Sequence, residues 1–274
     1  MPSNSNTTTT SDRWRKLRRK AEAGKLLLRH PFIGCRSCQY LFILSHMRSR
    51  SSLLSHLLGS HPDISGYTES HIPYKGRLDF LKLRLVVAMA IDGESNSRFI
   101  LDKVLHNWYL KPSQIDRMGV KPIFLIRDPV ESLKSLRHIM KDENDESTLQ
   151  RSLNHYRKQL KWMMNCCRAL TDQAIFIDSG SLVNSTQDVF DLLQEHLKLS
   201  SPLVESYNLF KYTGQTKHGD PSSMIKSGVI VRDGQKSYDR DLVIPPPMLD
   251  EARAIHEKCV RVLEARCVHL GRTT

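Results

Sequence analysis

The chain has 274 residues, 39% hydrophobic and 26% charged, the balance of a soluble globular protein with room for one sizeable core. Its formal charge of +12 suits a polyanionic small ligand or an acidic acceptor, although a general affinity for nucleic acid or membrane would carry the same signature. Six cysteines do not make a disulfide framework at this length, and no stretch approaches the ~20 apolar residues of a membrane span, which disfavours both a disulfide-stapled domain and a membrane-anchored enzyme.

Residues 1–12 are too polar to order themselves and read as a disordered tail, with 13–274 as a single domain. Trp14 to Leu28 has the pattern of a basic amphipathic helix. Residues 1–30 hold eight Lys/Arg against two Asp/Glu. An organelle transit peptide shares that composition; the expected reading is a cytoplasmic chain with a polar tail. Cys35 and Cys38 form a C-x-x-C with no second pair at zinc-ligand spacing, so no metal is expected.

Tyr40 to Ser45 is a six-residue apolar run, too short for a typical helix and too hydrophobic for a loop; it reads as a strand buried on both faces. A polar loop follows, Ser45 to Ser52, with two arginines and four serines. Leu53, Leu54, Leu57 and Leu58 then fall on one helical face, with Gly59 expected as a left-handed stop and Pro62 preventing continuation. Strand, loop and helix together aim backbone N–H groups and a positive helix end at an anion. The loop contains no glycine and lacks G-x-x-x-x-G-K-[ST], which makes a magnesium-dependent kinase or ATPase a poor fit.

Ile64 to Gly66 is a short extended piece, and Glu69 sits just beyond it in a loop. Leu78 to Ile91 has helical spacing, and Arg98 to Asp102 reads as a second buried strand delivering Lys103 to its end. Pro122 to Ile126 is a third strand, running into Arg127-Asp128-Pro129. Asp128 is a good N-cap, Pro129 suits the first helical position, and Glu131 adds negative charge to the first turn. Ser135 lies seven residues beyond Asp128, almost two turns, so it shares that helix face and lets Arg127 and Ser135 converge on one anion.

The charge cluster Lys141 to Glu146 reads as a solvated connection. Leu149, Leu153, Tyr156, Leu160, Met163, Cys167 and Leu170 form the strongest helical stripe, which is core. Ala174 to Asp178 gives a fourth strand, Thr186 to Leu197 another helix, and Leu249 to Cys267 a closing one. Ser200 to Pro247 between them is irregular, and a loop that long is often functional. The fold class expected is α/β, a mostly parallel sheet of four or five strands flanked by helices, with a ligand at the carboxyl ends of the strands.

The loop after the first strand resembles the phosphosulfate-binding loop of the P-loop-like sulfotransferase family, P-R/K-S-G-T-T. Met47 stands at the proline, Arg48 at the basic position, Ser49 at the serine, Arg50 at the glycine, and Ser51 and Ser52 at the hydroxyl pair. HPDISGYTESH is similar to the H-P-D/E and G-x-E-x of the bacterial and tyrosylprotein members. Arg127 and Ser135 match the family's 3′-phosphate signature, Lys103 its strand-end lysine, and Lys217 and Gly219 lie in a segment faintly similar to the one that folds over the nucleotide.

The resemblance implies 3′-phosphoadenosine-5′-phosphosulfate (PAPS) as donor and a hydroxyl-bearing acceptor of unassigned class, with no nucleic acid. Glu69 would be the general base, with His71 and His106 as rivals. Arg48 and Lys103 would stabilise charge at the transferring group. Ser49, Arg50, Ser51, Ser52, Arg127, Ser135, Lys217 and Gly219 would bind the donor. Lys217 to Asp220 is equally an ordinary turn. Arg50 at the glycine position keeps open a non-catalytic nucleotide- or nucleic-acid-binding protein, and a phosphate-donor kinase is the enzymatic alternative.

Overall fold

The apolar run beginning at Tyr40 becomes β1, Gln39–Ser45, in a computed structural model that describes residues 24, 25, 28, 37–91, 97–107, 109–140, 146–215, 219–220, 222–232 and 243–271. The expected tail, most of the basic Trp14 to Leu28 segment, Cys35, residues 141–145 and Lys217 lie outside them. β1 is buried on both faces, as its composition predicts. Leu41 and Ile43 join one core layer and Tyr40, Phe42 and Leu44 the other, the period-2 alternation of a strand.

Around β1 the sheet adds β2, Ile64–Ser65, β3, Phe99–Val104, β4, Val120–Ile126, and β5, Ile175–Asp178. The order is β2-β3-β1-β4-β5, and every pairing is parallel. Parallel strands need crossovers that cover both sheet faces. α1, Ser51–Gly59, α6, Ser181–Asn184, and α7, Thr186–Leu197, pack on one face. α2, Arg77–Ala90, α3, Pro112–Arg117, α5, Glu146–Ala169, and α8, Pro246–Arg266, pack on the other. α4, Pro129–Met140, starts where expected, and Asp128 caps it by accepting from the Glu131 N–H at 3.0 Å. The short α3 and α6 have too little periodicity to be read from sequence.

The long irregular stretch is tied down by rings. His56 of α1 donates from Nδ1 to Ser52 O (2.7 Å), pairs through Nε2 with Thr213 Oγ1 (3.0 Å) and packs against Tyr67, Tyr207 and Phe210. Tyr67 stacks on Phe210 with ring centres 4.2 Å apart. Aromatic burial of this kind offsets the entropy of ordering a segment that has little regular structure of its own.

Gly59 corrects an expectation. It is the last residue of α1 and is not left-handed; the C-cap is Ser60 at φ −86°. Glycine is required there for closeness, because a Cβ on Gly59 would stand 2.4 Å from the Gly66 carbonyl oxygen. Gly59→Ala is therefore expected to destabilise by ~1–3 kcal/mol, the usual cost of overpacking, read as a lowered denaturant midpoint. Alanine otherwise favours a helix by ~0.5–1 kcal/mol, so a rise in midpoint would show that the two backbones separate freely.

Candidate active site

β1 lies beside β4 at the middle of the sheet, and the connections leaving the two run to opposite sides: α1 leads from β1 toward β2 at one edge, while α4 and α5 lead from β4 to β5 at the other. That reversal opens a crevice at the carboxyl ends of the strands, where open α/β sheets bind ligands. The loop 46–50 crosses this crevice and feeds α1. Arg48 and Arg50 are both left-handed, at φ 66° and 67°, a conformation that costs a non-glycine residue ~1–2 kcal/mol. Arg50 thus makes the turn the glycine would have made, at a cost in strain.

The surroundings hold that strain in place. Ser45 Oγ lies 2.6 Å from the Leu125 carbonyl oxygen and 2.5 Å from Ser49 Oγ. Gln159 donates to the Ser45 carbonyl at 2.8 Å. His46 bridges two strand ends: Nδ1 donates to Met47 O (2.9 Å), and Nε2 accepts from the Arg127 N–H (3.1 Å). This tautomer must be neutral, and burial pushes the His46 pKa down to about 3. Arg127 Nη1 donates to Arg48 O at 3.1 Å. The Arg50 guanidinium donates to Ser179 O at the end of β5 (2.8 Å), so its side chain braces the loop.

Arg48 is the centre of a second polar group. Its Nε donates to Ser135 Oγ at 2.9 Å, and its Nη1 pairs with Asp220 Oδ1 at 3.2 Å. Arg127 and Ser135 are both tied to Arg48, the first through its carbonyl and the second through its guanidinium. Arg127 Nη2 also pairs with Glu131 at 2.7 Å. Lys103, only 1% exposed, donates from Nζ to Ser52 Oγ at 3.2 Å, and the Asp220 N–H reaches the same hydroxyl at 2.9 Å. Ser51 is buried in the first turn of α1.

Gly219 closes this group from above. Its φ is +144°, and a Cβ there would meet Ser52 Oγ at 2.8 Å and Lys103 Nζ at 3.1 Å. Burial lowers the Lys103 pKa, while Glu69, Asp102 and Asp220 oppose that shift.

Glu69 is 9% exposed. Burial raises its carboxyl pKa, with His71 and Lys103 acting the other way and Asp102 adding to the rise. His71 Nδ1 is 3.4 Å and His106 Nε2 3.9 Å from Glu69 Oε1, so the three candidate bases form one cluster. Burial holds His106 down to about 4, leaving its imidazole neutral beside the carboxylate.

The structure gathers Arg48, Ser49, Ser51, Ser52, Lys103, Arg127, Ser135, Gly219 and Glu69 at one end of the sheet. Three participants were not singled out from sequence: His46, Asp102 and Asp220. Asp102 carried a usable signal, a charged residue inside an otherwise apolar strand. Such an assembly can hold a multiply charged anion beside a buried carboxylate.

Solved structures similar to this chain include two sulfotransferase domains. One is the sulfotransferase domain from the Synechococcus PCC 7002 olefin synthase, 16% identical over 82% of this chain and 96% of that one, with a TM-score of 0.57. The other is the sulfotransferase domain from the curacin biosynthetic pathway, 19% identical over 82% and 98%, with a TM-score of 0.57. The likeness is one of fold. No family model and no curated protein matches the sequence. Among the described residues, no helix is long and apolar enough to cross a membrane.

Proposed function

We propose that the protein transfers a sulfuryl group from PAPS to a hydroxyl acceptor, with Glu69 as general base. One observation carries this reading. Arg48, Lys103 and Arg127, from the ends of β1, β3 and β4, surround one loop and helix start, with the buried Glu69 carboxylate close enough to Lys103 for each to shift the other's proton affinity. The shared fold with two sulfotransferase domains supports it.

In this mechanism Glu69 takes the proton of the acceptor hydroxyl as its oxygen attacks sulfur, and the bond from sulfur to the bridging phosphate oxygen breaks in line. Negative charge develops on that oxygen and is met by Arg48 and Lys103; the side chains supply the positive charge that a metal would otherwise bring. Ser52 and the first amides of α1 donate to the sulfuryl and phosphate oxygens, while Arg127 and Ser135 hold the 3′-phosphate. The donor takes Arg48 over from Asp220. Lys217, in the segment leading to Gly219, is assigned to the nucleotide by the resemblance alone.

Adenosine 3′,5′-bisphosphate, the product nucleotide, tests the site without knowledge of the acceptor. At a hundredfold over its dissociation constant it adds ~2.7 kcal/mol, a rise in Tm of roughly 5–10 °C for a chain of this size. Arg127→Ala is expected to lose most of that rise, since a charged hydrogen bond contributes ~1.5–3 kcal/mol. No rise, or a rise only with ATP and magnesium, would sink the reading and favour a phosphate-donor kinase or a binding protein.

A further inference from the structure

We propose that Asp102 is a positioning residue that holds the Glu69 carboxylate in place through Ser70, so that the end of β3 sets the donor-side lysine and the base together. The proposal rests on the reading of Glu69 as base and deepens it. It begins from an oddity of burial. β3 reads FILDKV with every residue buried, and a carboxylate inside such a strand is costly unless hydrogen bonds replace its water.

Besides the neighbouring Lys103 N–H, the hydrogen bonds to the Asp102 carboxylate come from one short segment. The Ser70 N–H donates to Oδ1 at 2.9 Å, Ser70 Oγ donates to Oδ2 at 2.5 Å, and the Tyr74 hydroxyl donates to the same Oδ2. Ser70 follows Glu69 directly in the chain, and Tyr74 lies five positions beyond it. The segment between them is sharply turned: His71 is left-handed at φ 55°, and the Ile72 N–H folds back onto Ser70 Oγ at 3.3 Å. Its far end is pinned by the Tyr74 N–H, which donates to Tyr109 O at 2.7 Å. A left-handed non-glycine residue persists only where its neighbours over-determine it, and Asp102 supplies the constraint on the Glu69 side.

Strand geometry explains the coupling. Successive residues point to opposite faces, so Asp102 turns toward Ser70 and Tyr74 while Lys103 turns toward Ser52 of α1. The reacting centre lies between those two directions. Asp102 also acts through its charge, which raises the proton affinity of Glu69. The other groups facing Glu69 are His71 from its own segment, His106 from the segment after β3, and Lys103 from β3 itself, with His155 of α5 behind His106.

The test follows the Glu69 carboxyl directly, by carbon-13 NMR of the full chain labelled at glutamate carboxyls, with the Glu69 signal assigned from its absence in Glu69→Gln. In Asp102→Asn, Glu69 is expected to titrate at lower pH than in the native chain. Hydrogen exchange at the Ser70 amide is expected to be about tenfold faster, the loss of one charge-assisted bond. A role confined to stability would leave the Glu69 titration where it is. An unmoved titration, or an unchanged Ser70 amide, would overturn the proposal.

If Asp102→Asn does not fold, Ser70→Ala removes the hydroxyl's bonds to Asp102, Tyr74 and the Ile72 N–H and leaves β3 intact. Faster exchange across residues 69–72 is then expected, and unchanged exchange again overturns the proposal. Glu69→Gln turning over as fast as the native chain would instead remove the base, an outcome separate from either readout of the Asp102 clamp.

Discussion

Replacing Glu69 by glutamine is expected to lower turnover by ~10²–10⁴, the contribution of a well-placed general base, and to raise thermal stability at neutral pH. The two effects share one cause. Burial raises the Glu69 pKa above its unfolded value, so its contribution to stability is complete below the unfolded pKa and is lost as pH rises through the folded one. At neutral pH the ionised carboxylate is a net cost to the native state, which glutamine removes. Turnover has the opposite dependence, since the base works only when deprotonated; activity rises with pH through the raised pKa, and Glu69→Gln flattens that limb. The measurement is release of adenosine 3′,5′-bisphosphate from the donor across pH, beside thermal melts of both proteins. Native-like turnover in the variant would leave His71 or His106 as the base, at 3.4 and 3.9 Å from the same oxygen.

Lys103→Met is expected to lower turnover by ~10²–10³, the cost of removing one preorganised donor from developing charge, while the bisphosphate still raises Tm. The separation follows from where the lysine sits. Its Nζ reaches Ser52 Oγ in the first turn of α1, the sulfuryl side of the site in the proposed mechanism, whereas Arg127 and Ser135 gather around Arg48. The bisphosphate has no sulfuryl group and so does not depend on that contact. Methionine fills a similar volume in a position only 1% exposed and limits the cavity left behind. Equal loss of bisphosphate binding and turnover would place Lys103 on the nucleotide instead, and unchanged turnover would remove it from the chemistry.

What the residues disclosed in advance was local. β1 was legible because it is apolar on both faces, and the start of α4 because Asp128, Pro129 and Glu131 are three independent signals at one turn. The site residues that could be named sit within a few positions of such signals: Arg48 after β1, Lys103 at the end of β3, Arg127 at the end of β4. What stayed hidden depends on chain segments far apart in sequence. Asp220 joins the site only because rings from α1 and the 207–210 region fix the irregular stretch above it. The reason Gly59 is glycine is the backbone of Gly66 across a contact, not its own torsion angle. His46 carried no signal of its own in the polar loop, and its role needs the Arg127 N–H from the end of another strand.

The central place of β1 has a consequence for how the chain reaches this state. Its partners are β3 and β4, so neither edge of β1 can be satisfied until Phe99–Val104 and then Val120–Ile126 have followed. Through that interval of synthesis a bare apolar strand waits beside its amphipathic helix, with α1 able to shield one side alone. Pairings between such distant segments form slowly and leave strand edges open to other chains. A nascent fragment ending before Val120 should therefore be a substrate for chaperones and prone to aggregate, and the same fragment lengthened past Ile126 should be markedly less so.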